Sequence, residues 1–473
     1  MSLSITSSKA TAITLLGLAL PLSGMAQTTT PYDTPKEVSF AKDIAPILYE
    51  NCVKCHRAGG VAPMSLMTYD EVRPWAPVIK YKTGLRGKMG TMPPYYLERS
   101  IGIQQVKDDE RLSEEQLQLI ALWADNGAPQ GNPEELPQLP EFSDSNEWRL
   151  GTPDLVIPLE DLYVPGGAAD AWVGGTPALT MLTEDRYVSA LDMREVNDVK
   201  SSQAGGTIVG GLYIVHHMTW QSGVIGADDE RETWPVHELG RNPDIFDPKA
   251  GRLLAAGSSV LPLTYHLHSN GRDTNGHMEL GFYFHPEGYK PEHKKARWSL
   301  GDGLNISIQG NMPEQELHTY TVLKEHTKIS SFEPHLHSPG ARMCLEAIWG
   351  NQIETLACSG YDHNWVKQYT FEDDYAPLLP RGTILHMIGF MDNIASNPNV
   401  VDARNWSGSG NRSVTNMFLH LGQSVELTDE QFVQEMAERR ERLGLTRNDH
   451  LIGCPLCMAD IPLLEPVAYS AED

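Results

Sequence analysis

From residue 150 to about residue 423 the chain runs in short apolar stretches with β-type composition, broken by Gly, Pro, Asn and Asp. Residues 207–218 (TIVGGLYIVHHM), 280–284 (LGFYF), 304–308 (LNISI) and 383–390 (TILHMIGF) read as strands, and the pattern predicts antiparallel β-sandwiches. Helical periodicity is confined to the ends. Residues 38–50 place Phe40, Ile44, Ile47 and Leu48 on one helical face. A second helix follows the capping-box pair Ser113 and Gln116, repeats Leu117, Ile120, Ala121 and Ala124 at helical spacing, and stops at Gly127. A third, charged helix is expected over 428–444, with Thr428 and Gln431 as its cap.

Punctuation then sets the domains. The Pro-rich, acidic stretch 132–143 reads as a linker, so the expected organisation has six parts. These are a leader at 1–26, a small helical domain at 37–135, a linker at 136–149, β-sandwiches at 150–305 and 306–427, and a helix with a Cys-containing tail at 428–473. In the leader, Lys9 precedes the apolar run 12–22 and Gly24-Met25-Ala26 offers a cleavage point, which predicts a Sec-type signal peptide and a periplasmic protein. No later run reaches the roughly 18 apolar residues a membrane span needs. The tetrapeptide His-Leu-His-Ser recurs at 266–269 and 335–338, which suggests that the two sandwiches are related.

Composition narrows the partners. With 62 acidic against 37 basic side chains in 473 residues, the net charge of −25 argues against a nucleic-acid binder, whose affinity rests on Lys and Arg neutralising phosphates. Six cysteines fall in three close pairs. Cys344 and Cys358 flank a turn-like Gly350-Asn351 and predict a cross-strand disulfide. Cys454 and Cys457 lack a following His, so they read as a small disulfide, with thiol redox activity or metal capture as the alternatives.

The remaining pair carries chemistry. Cys52-Val53-Lys54-Cys55-His56 is a CxxCH motif: two thiols spaced to add to the vinyl groups of one haem, and an adjacent imidazole to lie under its iron. The opposite axial ligand is expected from Met92, in Thr91-Met92-Pro93-Pro94, where the prolines fix an extended loop; Met89, Met64 and Met67 are rivals. Residues 38–130 resemble class-I-like cytochrome c domains that pair an early CxxCH with a late Met-Pro-Pro, which implies one covalent haem c held by Cys52, Cys55, His56 and Met92.

Histidines form a second theme. His216 and His217 are adjacent on a predicted strand, so their rings point to opposite faces unless the strand ends or bulges there. His266 and His268 are two apart and share a face, as do His335 and His337. Imidazole and thioether donors without spare thiolates suit copper better than zinc.

The order of His216-His217-Met218, His268, His335-Leu336-His337-Ser338-Pro339-Gly340, Tyr361-Asp362-His363-Asn364-Trp365 and Met417 resembles the type II copper monooxygenases, the family of peptidylglycine α-hydroxylating and dopamine β-monooxygenases. The resemblance covers roughly residues 150–425 and implies two jelly-roll-like β-sandwiches with one copper each. It implies that His216, His217 and His268 bind an electron-transfer copper, and that His335, His337 and Met417 form the catalytic copper site where dioxygen is activated. The fused haem would then take the place of ascorbate, passing electrons from a periplasmic donor so that an aliphatic C–H of a small substrate is hydroxylated with O2. The alternative is a haem and copper electron-transfer or copper-handling protein without oxygenase activity.

Three departures from that family stand out. His266 has no expected counterpart and could be recruited to the first site. Glu333 stands where peptide-amidating members carry an arginine for the substrate carboxylate, and Leu419 and Leu421 replace polar groups with the same task. A Glu facing the pocket would repel anions and favour a neutral or cationic substrate.

Overall fold

The predicted apolar face at 38–50 coils as a π-turn, Phe40–Ile44, running into the α-helix Ala45–Asn51, where Pro46 sits in the first turn and its missing N–H costs nothing. Phe40, Ile44, Ile47 and Leu48 are buried and pack with Val72, Ile79, Leu117, Ile120 and Trp123 in one helical core. Helix Glu114–Asp125 starts at the expected capping box, Ser113 and Gln116 satisfying each other's backbone N–H groups. It ends before Gly127, whose φ of +82° suits a residue without Cβ. The computed structural model describes residues 37–58, 60–140, 148–199, 212–224, 231–296 and 298–458. The predicted leader at 1–26 and the start of the 207–218 run lie outside the described residues.

The described residues from Val38 onward form one compact unit. Its helical segment continues into the β body: Tyr95, Leu97, Ile103 and Val106 pack in the same core as Leu336, Met343, Leu345 and Phe418. Leu97 bridges Ser359 and Val106 bridges Phe371. Contact with the β body is therefore made before the linker at 136–149 is reached.

The body is mainly antiparallel sheet. In its first half two six-stranded sheets face each other, one built on Arg186–Asn197 and Thr274–Phe284, the other on Val215–Val224 and Ser258–Leu267. Leu191, Leu280 and Phe282 from one sheet meet Met218, Trp220 and Tyr265 from the other across the shared core. In the second half the sheet Met312–Val322, Ile384–Asn393, Gly340–Trp349, Gln352–Gly360 covers smaller sheets that carry Pro334–Leu336 and Phe418–His420. Strand 304–308 of the sequence reading shortens to Ser307–Ile308.

Both predicted disulfides are present. Cys344 and Cys358 sit directly opposite each other on neighbouring strands, and Cys454–Cys457 packs with Leu427 and Phe432 beneath the terminal helix Asp429–Leu443. They point to an oxidising, non-cytoplasmic compartment. Among the described residues no helix is long and apolar enough to cross a membrane.

The two halves are locked by a buried fork. Arg241 donates to both oxygens of Glu333 at 2.7 and 2.8 Å and to both of Asp244 at 2.6 and 2.8 Å, with the Arg241 and Glu333 side chains 2% and 0% exposed. Removing one partner of a buried pair strands the other charge, so Arg241→Ala should cost roughly 3–5 kcal/mol. Denaturant midpoints check this; a loss below about 1 kcal/mol would show that water or another cation replaces the guanidinium.

Candidate metal centre and haem-motif cavity

A strand irregularity brings the adjacent histidines together. Along Val215–Val224 and Ser258–Leu267, Tyr265 pairs with Met218 and His266 with His217, but Leu267 pairs with Val215. His216 is the extra residue, and a bulge of this kind re-aims its side chain. Both His216 and His217 consequently line one cavity of about 220 Å³, together with His266, His335, His337, His363 and Met417.

The rings in and beside it sort into two groups. His216, His266 and His268 each offer a nitrogen within 4.8 Å of the others. The His266 and His268 Nε2 atoms are 2.9 Å apart, and Asp170 Oδ2 lies 3.4 and 3.2 Å from them. Trp172 stacks on His266 with ring centroids 3.9 Å apart and fixes that ring. His266 thus occupies the place that the family resemblance gives to His217.

His217 turns toward the second group. Its Nδ1 lies 3.4 Å from Glu238 Oε1, and the same oxygen is 2.5 Å from His335 Nδ1. A carboxylate on Nδ1 orients the ring and leaves Nε2 for a metal. His337 is set the same way by a carbonyl: Nδ1–H donates to Thr415 at 3.0 Å. Met417 directly precedes Phe418–His420 and His337 directly follows Pro334–Leu336, two strands paired through Leu336 and Phe418, and both residues line the cavity.

Burial governs the titration here. Desolvation, reinforced by neighbouring imidazoles, pushes His266 down to about 2 and His337 and His363 to about 3, and takes His216 well below its usual range. These rings are neutral ligands-in-waiting over the physiological range. Burial drives Glu238 upward, but His335 and His217 outweigh it and hold the carboxyl well below the usual range.

The donor set fits a metal. Both ring nitrogens of His216 and of His363 are buried with no hydrogen-bond partner, as is Glu238 Oε2. Buried polar atoms left unpaired are costly, and imidazoles with one thioether match copper.

The CxxCH segment lines a separate, largely apolar cavity of about 430 Å³. Cys52 and Cys55 are not disulfide-bonded, and burial pushes the Cys52 thiol up to about 12. His56 Nδ1–H donates to the Met64 carbonyl at 3.1 Å, which leaves Nε2 for an axial bond. Met92 and Met64 both line this cavity, whereas Met89 sits against Asn399 and Met67 packs on the helical core. An apolar pocket with two free thiols and an oriented imidazole fits a covalent haem.

Some expectations need correction. Glu333 does not face the histidine cavity: its carboxylate is consumed by Arg241, so it gives no ground for preferring a neutral or cationic substrate. Leu419 and Leu421 are also absent from the cavity lining. Conversely, Glu238, Asp170 and Trp172 carried no recognisable sequence signal, because each meets its histidine only across the folded sheet.

No family model matches the chain, and no curated protein matches it. Among solved structures it is similar to the Cowpea mosaic virus top component, naturally occurring empty particles, at 10% identity and a TM-score of 0.25, over 61% of this chain and 94% of that one. It is also similar to the PBSX exported protein XepA at 8% identity and a TM-score of 0.10, over 54% and 99% of the two chains. Neither likeness carries an argument about fold or function.

Metal binding should stabilise the native chain by mass action, by about 2.7 kcal/mol at a hundredfold excess over Kd. Adding Cu(I) or Cu(II) to the full chain is expected to raise its unfolding temperature, and His216→Ala should remove most of the rise. An equal rise in that variant would take the metal away from this cluster.

Proposed function

We propose that this chain is an exported haem- and copper-dependent monooxygenase with a cytochrome c-like segment ahead of two jelly-roll-like sandwiches. It hydroxylates an aliphatic C–H of a small substrate with O2. The observation that carries the reading is the meeting of His335, His337 and Met417 with His216 and His266 around a single cavity, with His268 grouped beside the latter two. Copper held there supplies dioxygen activation and one-electron redox chemistry, and a haem on residues 52–56 supplies electrons from a periplasmic donor.

The chain's own residues do the rest. Glu238 and the Thr415 carbonyl engage the Nδ1 atoms of His335 and His337, which orients both rings and leaves their Nε2 atoms for another partner. Met417 is a weak, soft donor that favours Cu(I) and leaves room for a further ligand. Thr219, Thr264, Asn411 and Ser413 supply the polar part of the lining, able to hold a substrate by hydrogen bonds without a formal charge.

The test is anaerobic reduction of haem- and copper-loaded protein followed by a pulse of O2. Copper-dependent reoxidation is expected in the wild type, with Met417→Ala abolishing product formation from a responsive substrate while the haem spectrum stays intact. Unchanged turnover in Met417→Ala would remove the catalytic assignment. Redox activity of both metals without oxygen uptake would establish the electron-transfer alternative instead.

A further inference from the structure

The haem-motif cavity and the histidine cavity share a wall only one segment thick. Asp362 and Trp365 line the former, while His363 and Val366 line the latter. Residues 362–366 therefore present side chains to both sites from one short piece of backbone.

That segment is held on every side. The Tyr361 hydroxyl donates at 2.5 Å to the carbonyl of Leu336, the residue between His335 and His337. Trp365 N–H closes a turn onto the Asp362 carbonyl, and Val366 N–H donates to the Leu239 carbonyl, next to Glu238, both at 3.0 Å. The indole presses on the backbone of Gly240, where φ is +89° and an added Cβ would lie 2.5 Å from the ring. From the haem side, Lys54 inside the CxxCH motif pairs with Glu110 at 2.6 Å, and Glu110 pairs with the buried Lys367 at 3.1 Å. The motif is thus clasped to the residue that follows the shared wall.

His363 has the features of a metal donor rather than of a structural histidine. It is 8% exposed, both ring nitrogens lack partners, and its centroid lies 5.0 Å from His216 and 5.8 Å from His337. It therefore stands between the two histidine groups, two residues from an indole that faces the haem cavity.

Resting on the monooxygenase reading, we propose that residues 362–366 are the electron bridge of this protein, entered at the Trp365 indole and left through His363, which acts as an additional copper ligand. Electron tunnelling weakens steeply with separation, so a short, rigid, covalently continuous wall carrying two aromatic rings is the favoured route. In each passage one electron leaves Fe(II), giving Fe(III), and converts one Cu(II) to Cu(I). No covalent bond forms or breaks in the bridge, and no proton has to move. The external donor re-reduces the haem before the second passage.

The experiment uses full-length protein loaded with haem and Cu(II), reduced at the haem by an anaerobic flash, with the ferrous absorption band followed in time. Wild type should lose that band at a rate independent of protein concentration. Trp365→Leu should slow the loss by an order of magnitude or more at unchanged haem spectrum and copper content, and Trp365→Phe should restore most of it. A wild-type rate in copper- and haem-loaded Trp365→Leu would overturn the bridge while leaving the monooxygenase reading in place. Failure of the wild type to pass electrons to copper at all would instead overturn the supply of electrons by the haem. Should Trp365→Leu take up no haem, His363→Gln leaves the haem cavity lining intact and carries the same prediction, a slowed transfer together with an altered Cu(II) EPR signal. An unchanged rate and spectrum in His363→Gln would overturn the proposal.

Discussion

The Arg241 fork is the constraint on which the site depends. Its guanidinium belongs to the turn that follows Glu238, and its partner Glu333 lies two residues before His335. Satisfying that buried charge fixes the turn of the first sheet pair against the strand of the second. Only then does Glu238 reach His335, and only then do histidines from separate sandwiches face one cavity. A buried ion pair is weak evidence for added stability, since its desolvation cost is large. Its geometric specificity is the property that matters here: a bidentate fork tolerates little rotation between the two halves.

The cavity illustrates how a polar cluster can persist inside a folded chain. Several imidazoles crowd together because burial and mutual repulsion keep them neutral. Glu238 and the Thr415 carbonyl satisfy one nitrogen of His335 and His337, while His216 and His363 are left with none satisfied. Unpaired nitrogens in the interior cost stability, and the proposed metal is what would repay that cost.

Local signals were legible where they were local in origin. Capping boxes at Ser113 and Thr428 marked helix starts, Gly127 and Gly444 marked ends, and the spacing of Cys344 and Cys358 around a turn anticipated their pairing. The condition placed on His216 and His217, that a bulge must intervene if both are to face one site, is met by the register shift opposite Leu267. Long-range pairings were not legible. Glu238 meets a histidine 97 positions away and Arg241 a glutamate 92 positions away, and neither spacing has a periodicity to betray it. Glu333 is illegible for the same reason, its near neighbour in sequence being the cavity-lining His335 and its neighbour in space an arginine. The replacement of His217 by His266 in the first cluster likewise follows from the bulge and from the pull of Glu238, which no strand pattern records.

The proposed chemistry requires one chain to combine a covalent haem with a histidine cavity that holds copper. Its most direct test is the metal content of full-length protein produced with haem maturation and purified after copper loading. One haem iron and two tightly held coppers per chain are expected, with copper falling when His216 or His335 is replaced and haem unaffected. A chain that holds its haem but releases all copper on simple gel filtration, or whose copper is indifferent to both histidines, would contradict it.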